Sequence, residues 1–272
     1  MAAASTGPYR RERSLALRGS SSALYNNLAV LRPPGRAPAF GAVHGSTLSL
    51  LGTEGHPRQL QARGGGSALS TPLLTQAAWC ELPSRVLLVL TSQRGVQPIP
   101  CSPEASPRPA AASSAWDGAG DLVTADDSGT LCLWSSGEEF TLLGKIPGSG
   151  CTCSSVALWN GVVAAGYGNG QIRLWEAGSG QIRAQVSAHA RWIYALDLAP
   201  LTGKLLSGAE DSFVHVWKLC REPDSDDIEV QHCHAECVTD TQVCGARFCD
   251  PAGDTFAVTG YDLSEILCYG PA

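Results

Sequence analysis

Three segments of the chain end alike, one repeat length apart: Thr130-Leu-Cys-Leu-Trp134, Gln171-Ile-Arg-Leu-Trp175 and Ser212-Phe-Val-His-Val-Trp217. Their tryptophans are 41 and 42 residues apart. A fixed period of this size restricts a chain to stacked or ring-shaped arrays, because each unit can bury its apolar face only against its neighbours. Ten residues before each Trp stands a small residue, Thr124, Ala165 or Ser207. Five or six before it stand the turn formers Ser128-Gly129, Asn169-Gly170 and Asp211-Ser212. Between turn and Trp the apolar residues alternate, the period of a half-buried strand. Asn-Gly tolerates positive φ at both positions and is the strongest short hairpin signal. Each unit therefore reads as strand, tight turn, strand, with a further strand after it, such as residues 181–187.

Composition agrees with a turn-rich β protein. Of 272 residues, 30 are Gly and 17 Pro, 44% are apolar, and 16% are charged against a typical ~25%. A net charge of −6 gives no electrostatic footprint for nucleic acid or an anionic membrane. The longest clean apolar run, residues 86–90, is far short of the ~20 residues a spanning helix needs. The opening MAAASTGPYRRERS has no signal-peptide core, the eleven cysteines are an odd number, and no Asn-x-Ser/Thr site occurs. Reduced thiols and a cytoplasmic location are the expectation.

The repeat resembles the WD-repeat family, whose units of ~40–45 residues each form one four-stranded propeller blade. The fold class expected is all-β: a WD-repeat β-propeller, incomplete, with about six traceable blades or part-blades where seven would be usual. The best unit runs from Ala188-His189 to Trp217. The resemblance implies a buried structural tetrad there of His189, Ser207, Asp211 and Trp217, beside the repeat-end tryptophans Trp134, Trp175 and Trp217. The other units depart from this pattern at Ser128, Ala165 and Asn169, and a weaker fourth unit spans His234 to Tyr269. The last unit lacks an outermost strand, so residues 14–17 are expected to pair with residues 266–269 and close the ring.

The chain divides into a flexible N-terminus (1–12), N-terminal strands and degenerate blades (13–97), an irregular Pro/Ala/Ser-rich joint (98–120) and WD-repeat blades of the same propeller (121–272). In the joint, Pro98, Pro100, Pro103, Pro107 and Pro109 fall within twelve residues, and proline cannot donate to a ladder. The unit before residue 96 is expected to keep two strands and the unit ending at Trp134 to lack its first. A surface linker, phosphorylated at Ser102 or Ser106, competes with a splice variant or misread exon that replaces propeller sequence. The second reading predicts a chain less stable than a longer form.

No catalytic site, cofactor or metal is expected. Gly166-Tyr-Gly-Asn-Gly170 runs into a strand rather than the helix that a dinucleotide fingerprint must open. His232, Cys233, His234, Cys237, Cys244 and Cys249 lack the paired knuckles of common zinc sites. The carboxylate pairs Asp126-Asp127, Glu138-Glu139, Glu210-Asp211 and Asp226-Asp227 are sequence neighbours in turns, where Asp caps local backbone. The expected function is a non-enzymatic scaffold whose loop faces bind other proteins, extending to signalling or vesicle-linked assemblies. Trp192 is the candidate interface anchor, and homo-oligomerisation is a further expectation. A ubiquitin-ligase substrate receptor is the alternative, weakened because Trp-Ser-Ser, Trp-Glu-Ala, Trp-Lys-Leu and Trp116-Asp117-Gly-Ala stand where Trp-Asp-x-Arg belongs. A propeller hydrolase is the alternative of another class, and its Ser-x-Asp-x-Gly-x-Thr-Trp box is missing.

Overall fold

A computed structural model describes residues 7–17, 19, 26–32, 36–52, 58–61, 72–82, 85–92, 95–100, 122–136, 140–221 and 227–272. The first strand, β1 (Tyr9–Ala16), joins the last sheet of the chain. The sheets then follow in sequence order. They are β2 (Leu28–Leu31), β3 (Ala39–His44), β4 (Thr47–Leu51) and β5 (Arg58–Gln61); β6 (Leu74–Leu82), β7 (Arg85–Ser92) and β8 (Gly95–Pro100); and β9 (Leu122–Ala125), β10 (Leu131–Ser136) and β11 (Phe140–Ile146). After these come β12 (Cys153–Trp159), β13 (Val162–Tyr167), β14 (Gln171–Glu176) and β15 (Ile182–Ser187), then β16 (Ile193–Ala199), β17 (Lys204–Ala209), β18 (Phe213–Arg221) and β19 (Ile228–Cys237). The sixth sheet is β20 (Val243–Phe248), β21 (Phe256–Gly260) and β22 (Glu265–Pro271), with β1 outermost. Every pairing within these sheets is antiparallel, as expected of a WD-repeat propeller.

The repeat period shows in the backbone as well as in the sequence. Gly129, Gly170 and Ser212, each five residues before a repeat-end Trp, all have positive φ. A side chain at Gly170 would also run into the carbonyl oxygen of His189, because the next loop crosses directly over this turn. The outer ladder slips by one residue at each of Trp134, Trp175 and Trp217. Such bulges bend the strand and increase local twist, and they set Leu142, Ile182 and His232 opposite the three indoles.

Five apolar clusters lie between successive sheets. One packs Leu206, Val214 and Val216 of the β16–β19 sheet against Phe248, Phe256 and Tyr269 of the last sheet. Another joins Leu174 and Ile172 to Leu196 and Leu205. None of the five joins β6–β8 to β9–β11. This is the nearest-neighbour economy of a repeat array, in which the other four sheets each bury two faces against two neighbours, while β6–β8 and β9–β11 each join one cluster.

The N-terminal strand completes the last sheet as the repeat pattern implies. Ser14 pairs with Leu267 and Leu15 with Ile266, and the Leu17 N–H reaches the Ser264 carbonyl at 2.8 Å. Pairing extends further than the alternation of residues 14–17 suggests, to Tyr9 opposite Pro271. Residues 9–12, expected to be flexible, are therefore strand. Their Arg-Arg-Glu run hides this because an outermost strand is solvated and its charges discourage stray pairing. Tyr9 is the anchor, 3% exposed, with its hydroxyl on the Gly253 carbonyl at 2.6 Å.

Two further expectations need correction. Residues 98–100, taken as irregular, lie in β8, and the unit before the joint has three strands rather than two. Proline is admitted there because β8 is the outermost strand of its sheet, where a missing N–H costs no ladder bond. The rest of the joint, with Ser102, Ser106 and Trp116, lies outside the described residues. The weaker fourth unit does not begin at His234, which sits in β19 opposite Val216; its first strand is β20. The described part of the unit ending at Trp134 is the three-stranded sheet β9–β11; residues 101–121, where its first strand would lie, are outside the described residues.

Tyr9 gives a test of ring closure. Tyr9→Phe should lower stability by about 1 kcal/mol, by removing one of the two donors on the Gly253 carbonyl, the other being Lys204 Nζ at 3.0 Å. Tyr9→Ala should cost about 3–5 kcal/mol, as for other buried aromatics. Urea midpoints identical to the parent in both variants would mean that β1 does not hold the last sheet.

Candidate functional site

The four residues expected to form a tetrad are brought together on the β16–β19 sheet. His189 lies in the loop that leads into β16, Ser207 on β17, Asp211 in the turn after it, and Trp217 on β18. His189 Nδ1 is 3.1 and 3.2 Å from the two Asp211 oxygens, and His189 Nε2 is 2.8 Å from Ser207 Oγ. Trp217 Nε1 donates to the same Oγ at 3.0 Å. One proton arrangement satisfies all four: Nδ1–H to the carboxylate, the Ser207 hydroxyl to Nε2, and the indole N–H to Oγ. Asp211 also accepts from the N–H groups of Ala190 (2.9 Å) and Phe213 (3.1 Å). Burial pushes its carboxyl up, but the His189 ring and these N–H groups outweigh that and hold its pKa below the ordinary value.

The other repeat-end tryptophans carry reduced versions. Trp134 Nε1 donates to Thr124 Oγ1 at 3.0 Å. At Trp175 the hydroxyl position is Ala165, and the buried indole N–H has no hydrogen bond of normal length among the described residues. In the last sheet Thr259 stands ten residues before Tyr269 and donates instead to Asn27 Oδ1 at 2.7 Å.

Trp192 lies three residues after His189 and is 38% exposed. Its ring lies over Gly168 of the neighbouring sheet, where an added Cβ would come within 2.9 Å of the indole. Its carbonyl accepts from the Glu210 N–H at 2.9 Å. The side chain is thus presented outward on a loop fixed from both sides. Tyr261, 55% exposed in the turn between β21 and β22, is another large exposed side chain on a strand-connecting turn.

The residues that join the sheets around the centre escaped sequence reasoning. The inner strands β12, β16 and β20 each slip register near their start, skipping Ser154, Tyr194 and Cys244. The carbonyls of all three accept from one residue, Asn26: its N–H reaches Tyr194 (3.2 Å) and Cys244 (2.9 Å), and its Nδ2 reaches Ser154 (3.2 Å). Asp197 on β16 gathers Arg32 Nη2 (2.5 Å), the Phe248 N–H (2.8 Å) and Arg247 Nη1 (3.4 Å), so three sheets meet on one carboxylate. A lone charge between Leu196 and Leu198 was the available signal, since alternation turns it away from the apolar face. Asn26, Gln76, Ala125, Ser154, Ser155 and Arg247 line a central cavity of about 190 Å³.

The nine cysteines whose side chains are described are free thiols. Burial pushes the Cys153 and Cys244 thiols up to about 12, which suits packing rather than reaction. Among the described residues no group of three or more His, Cys, Asp or Glu is placed to hold a metal ion. Gly166–Gly170 forms a hairpin turn, with the Gly170 N–H on the Tyr167 carbonyl at 3.0 Å.

Comparison with known proteins agrees with this geometry. The family model described as WDR54 matches residues 8–103 and 104–271. The chain belongs to the WDR54 family. It is 50% identical to rat WD repeat domain 54 over 332 aligned positions, covering 96% of this chain and 99% of the relative. Identity to WD repeat-containing protein 54 is 49% in mouse and 48% in human, covering 96% and 95% of this chain and 99% and 98% of those relatives. Among solved structures, the WD40 beta propeller domain of Doa1 superposes with a TM-score of 0.58 at 13% identity, covering 96% of this chain and 97% of that one. A chain of the Mitotic Checkpoint Complex gives 0.52 at 12%, covering 100% and 98%. The WD40 propeller fold is common to all of them. With 332 aligned positions against 272 residues, at least 60 positions of the rat relative's alignment have no residue of this WDR54-family chain opposite them. The family match is itself divided between Pro103 and Glu104, in the proline-rich joint.

Two measurements test the tetrad. His189→Ala and Asp211→Asn should each cost about 1–3 kcal/mol, because removing one member strands the others in a buried site. Chemical-denaturation midpoints unchanged in both would show that the network does not form. Conversely, Ala165→Ser should stabilise by about 1 kcal/mol by giving the Trp175 indole, which the Tyr167 hydroxyl approaches without a bond of normal length, a hydroxyl acceptor within reach. A lower melting temperature for that variant would count against the equivalence of the repeats.

Proposed function

We propose that this chain is a non-enzymatic interaction platform that recognises other proteins through the face carrying Trp192. Trp192 carries the reading: it is a large, part-exposed aromatic on a loop immobilised by Gly168, Glu210 and the tetrad. Rigid, pre-placed aromatic anchors lose little freedom on binding and are enriched among interface hot spots. Membership in a WD-repeat family supports the same role.

The tetrad weighs against the hydrolase alternative. Both His189 nitrogens are engaged, and Asp211 is saturated by the imidazole and two backbone N–H groups. Ser207 and the His189 side chain are wholly buried, so no substrate proton comes within the reach that a general base needs. Among the described residues no helix is long and apolar enough to cross a membrane. We carry the cytoplasm as the location, with signalling or vesicle-linked assemblies as the class of complex. Homo-oligomerisation belongs to the same proposal, and so does origin of the chain by alternative splicing, which the divided family match supports. No feature of the structure favours the ubiquitin-ligase reading.

Affinity capture from cells with mass spectrometry tests the platform, comparing the parent with Trp192→Ala. The variant should keep the parental melting temperature within about 1 kcal/mol of stability, as surface changes usually do, and should lose a defined subset of partners. An identical partner set for both proteins would sink the assignment of this face. Recovery of ubiquitin-ligase subunits would favour the receptor alternative, and glycosidase or esterase turnover abolished by Asp211→Asn would favour the hydrolase.

A further inference from the structure

Three histidines from three separate pieces of chain stack beside Trp217. His189 comes from the loop before β16, His215 from β18 and His232 from β19. The His189 and His215 ring centroids are 4.7 Å apart, and those of His215 and His232 are 5.1 Å apart. His215 Nδ1 and His232 Nε2 face each other at 3.0 Å. Phe213 lies parallel to His215 at 5.8 Å, and the Trp217 indole flanks His215 at 5.4 Å and His232 at 4.8 Å. The tetrad uses only His189, and His215 and His232 have no part in it.

We propose that the His189–His215–His232 stack is an acid-sensitive latch, whose protonation releases β19 from β18 and loosens the loop that presents Trp192. In the neutral pair one imidazole donates and the other accepts, which needs one N–H and one lone pair at the 3.0 Å contact. One added proton places a cation beside His189 and the indole. A second leaves two donors and two charges facing each other, and the bond between the strands is lost.

The groups acting on His215 are His189 and Asp211 from the two loops, and His232 and His234 from β19. Ser207 lies opposite it on β17 and is already occupied by His189 and Trp217. Asp211, the carboxylate in this set, is committed to His189 and two backbone N–H groups. His234 is 3.6 Å from Glu236 on its own strand. A charge arriving on His215 therefore meets no free counter-ion among these groups. Burial first, then the neighbouring His189 and His232 rings, push the His215 pKa down from 6.5 to about 4.

The sign follows from that direction. The unfolded chain takes up the proton as pH falls through about 6.5, while the folded chain resists it until about 4. This stabilising contribution is complete above the upper value, is lost progressively between the two, and changes no further below the lower one. Within the window, each pH unit shifts the opening equilibrium by up to about tenfold for this one group. Release reaches the surface because Asp211, held by His189, also holds the Ala190 N–H, two residues from Trp192.

Hydrogen exchange of the full chain, corrected for intrinsic rates, tests the latch without any partner. Between pH 6.5 and 4.5, protection of β18, β19 and residues 188–192 should fall about tenfold per unit relative to β12–β15. His215→Phe keeps a ring in the stack but removes the proton site, and should flatten this dependence while leaving protection at pH 7 within a few-fold. Should that variant fail to fold, NMR titration of the parent decides: His215 must titrate well below 6.5, with loss of the His232 contact in step. An ordinary His215 titration, or the same pH profile in parent and variant, would overturn the proposal.

Discussion

The centre of the ring depends on satisfying three carbonyls that the sheets cannot satisfy themselves. Each inner strand bulges near its start, and at Ser154, Tyr194 and Cys244 a backbone oxygen drops out of its ladder. A buried polar group left without a partner costs about 1–3 kcal/mol, so three such groups in one channel would be a serious liability. Asn26 meets all three, held at a φ of 53° that non-glycine residues seldom adopt. Its Oδ1 in turn accepts from Ser155 Oγ at 3.2 Å, and Ser155 Oγ accepts from the Leu196 N–H. Three successive sheets are tied through one asparagine that is distant from all of them in sequence and precedes the first complete sheet.

Around this hub the repeats tolerate decay because apolar packing, rather than the tetrad, joins neighbouring sheets. The tetrad is complete at Trp217, reduced to one bond at Trp134 and absent at Trp175, yet Leu174 and Ile172 remain buried against the following sheet. Where the polar network is complete it fixes loops. His189 and Asp211 set the path of residues 188–192, and Trp192 is presented by that path. The same sheet carries the His215–His232 pair, which the tetrad leaves unused.

The joint is where this chain departs from its relatives. At least 60 aligned positions of the rat relative are unmatched, and the family match breaks at Pro103. On one side of the break β6–β8 is a three-stranded sheet, and on the other β9–β11 is a second. The second strands β13, β17 and β21 are buried almost throughout, whereas three of the four residues of β9 are exposed.

The repeat, the turn positions and the strand alternation are legible in the residue pattern, and resemblance to the WD-repeat family adds the tetrad. These are local patterns: a Trp, a hydroxyl ten residues earlier and an Asp six residues earlier lie within one unit. The sequence also indicated which termini meet, because an unfinished last blade needs a strand. It missed the strand character of residues 9–12 and 98–100, since outermost strands lack the buried face that alternation reports. What lies between units is set by how the folded chain brings distant segments together. Asn26, the Asp197–Arg32–Arg247 cluster and the His215–His232 pair bring together residues from separate strands and loops, and no periodicity encodes such meetings. Whether Trp192 is a core or a surface residue was equally undetermined by pattern, because its exposure depends on Gly168 in the adjacent sheet leaving room for the ring.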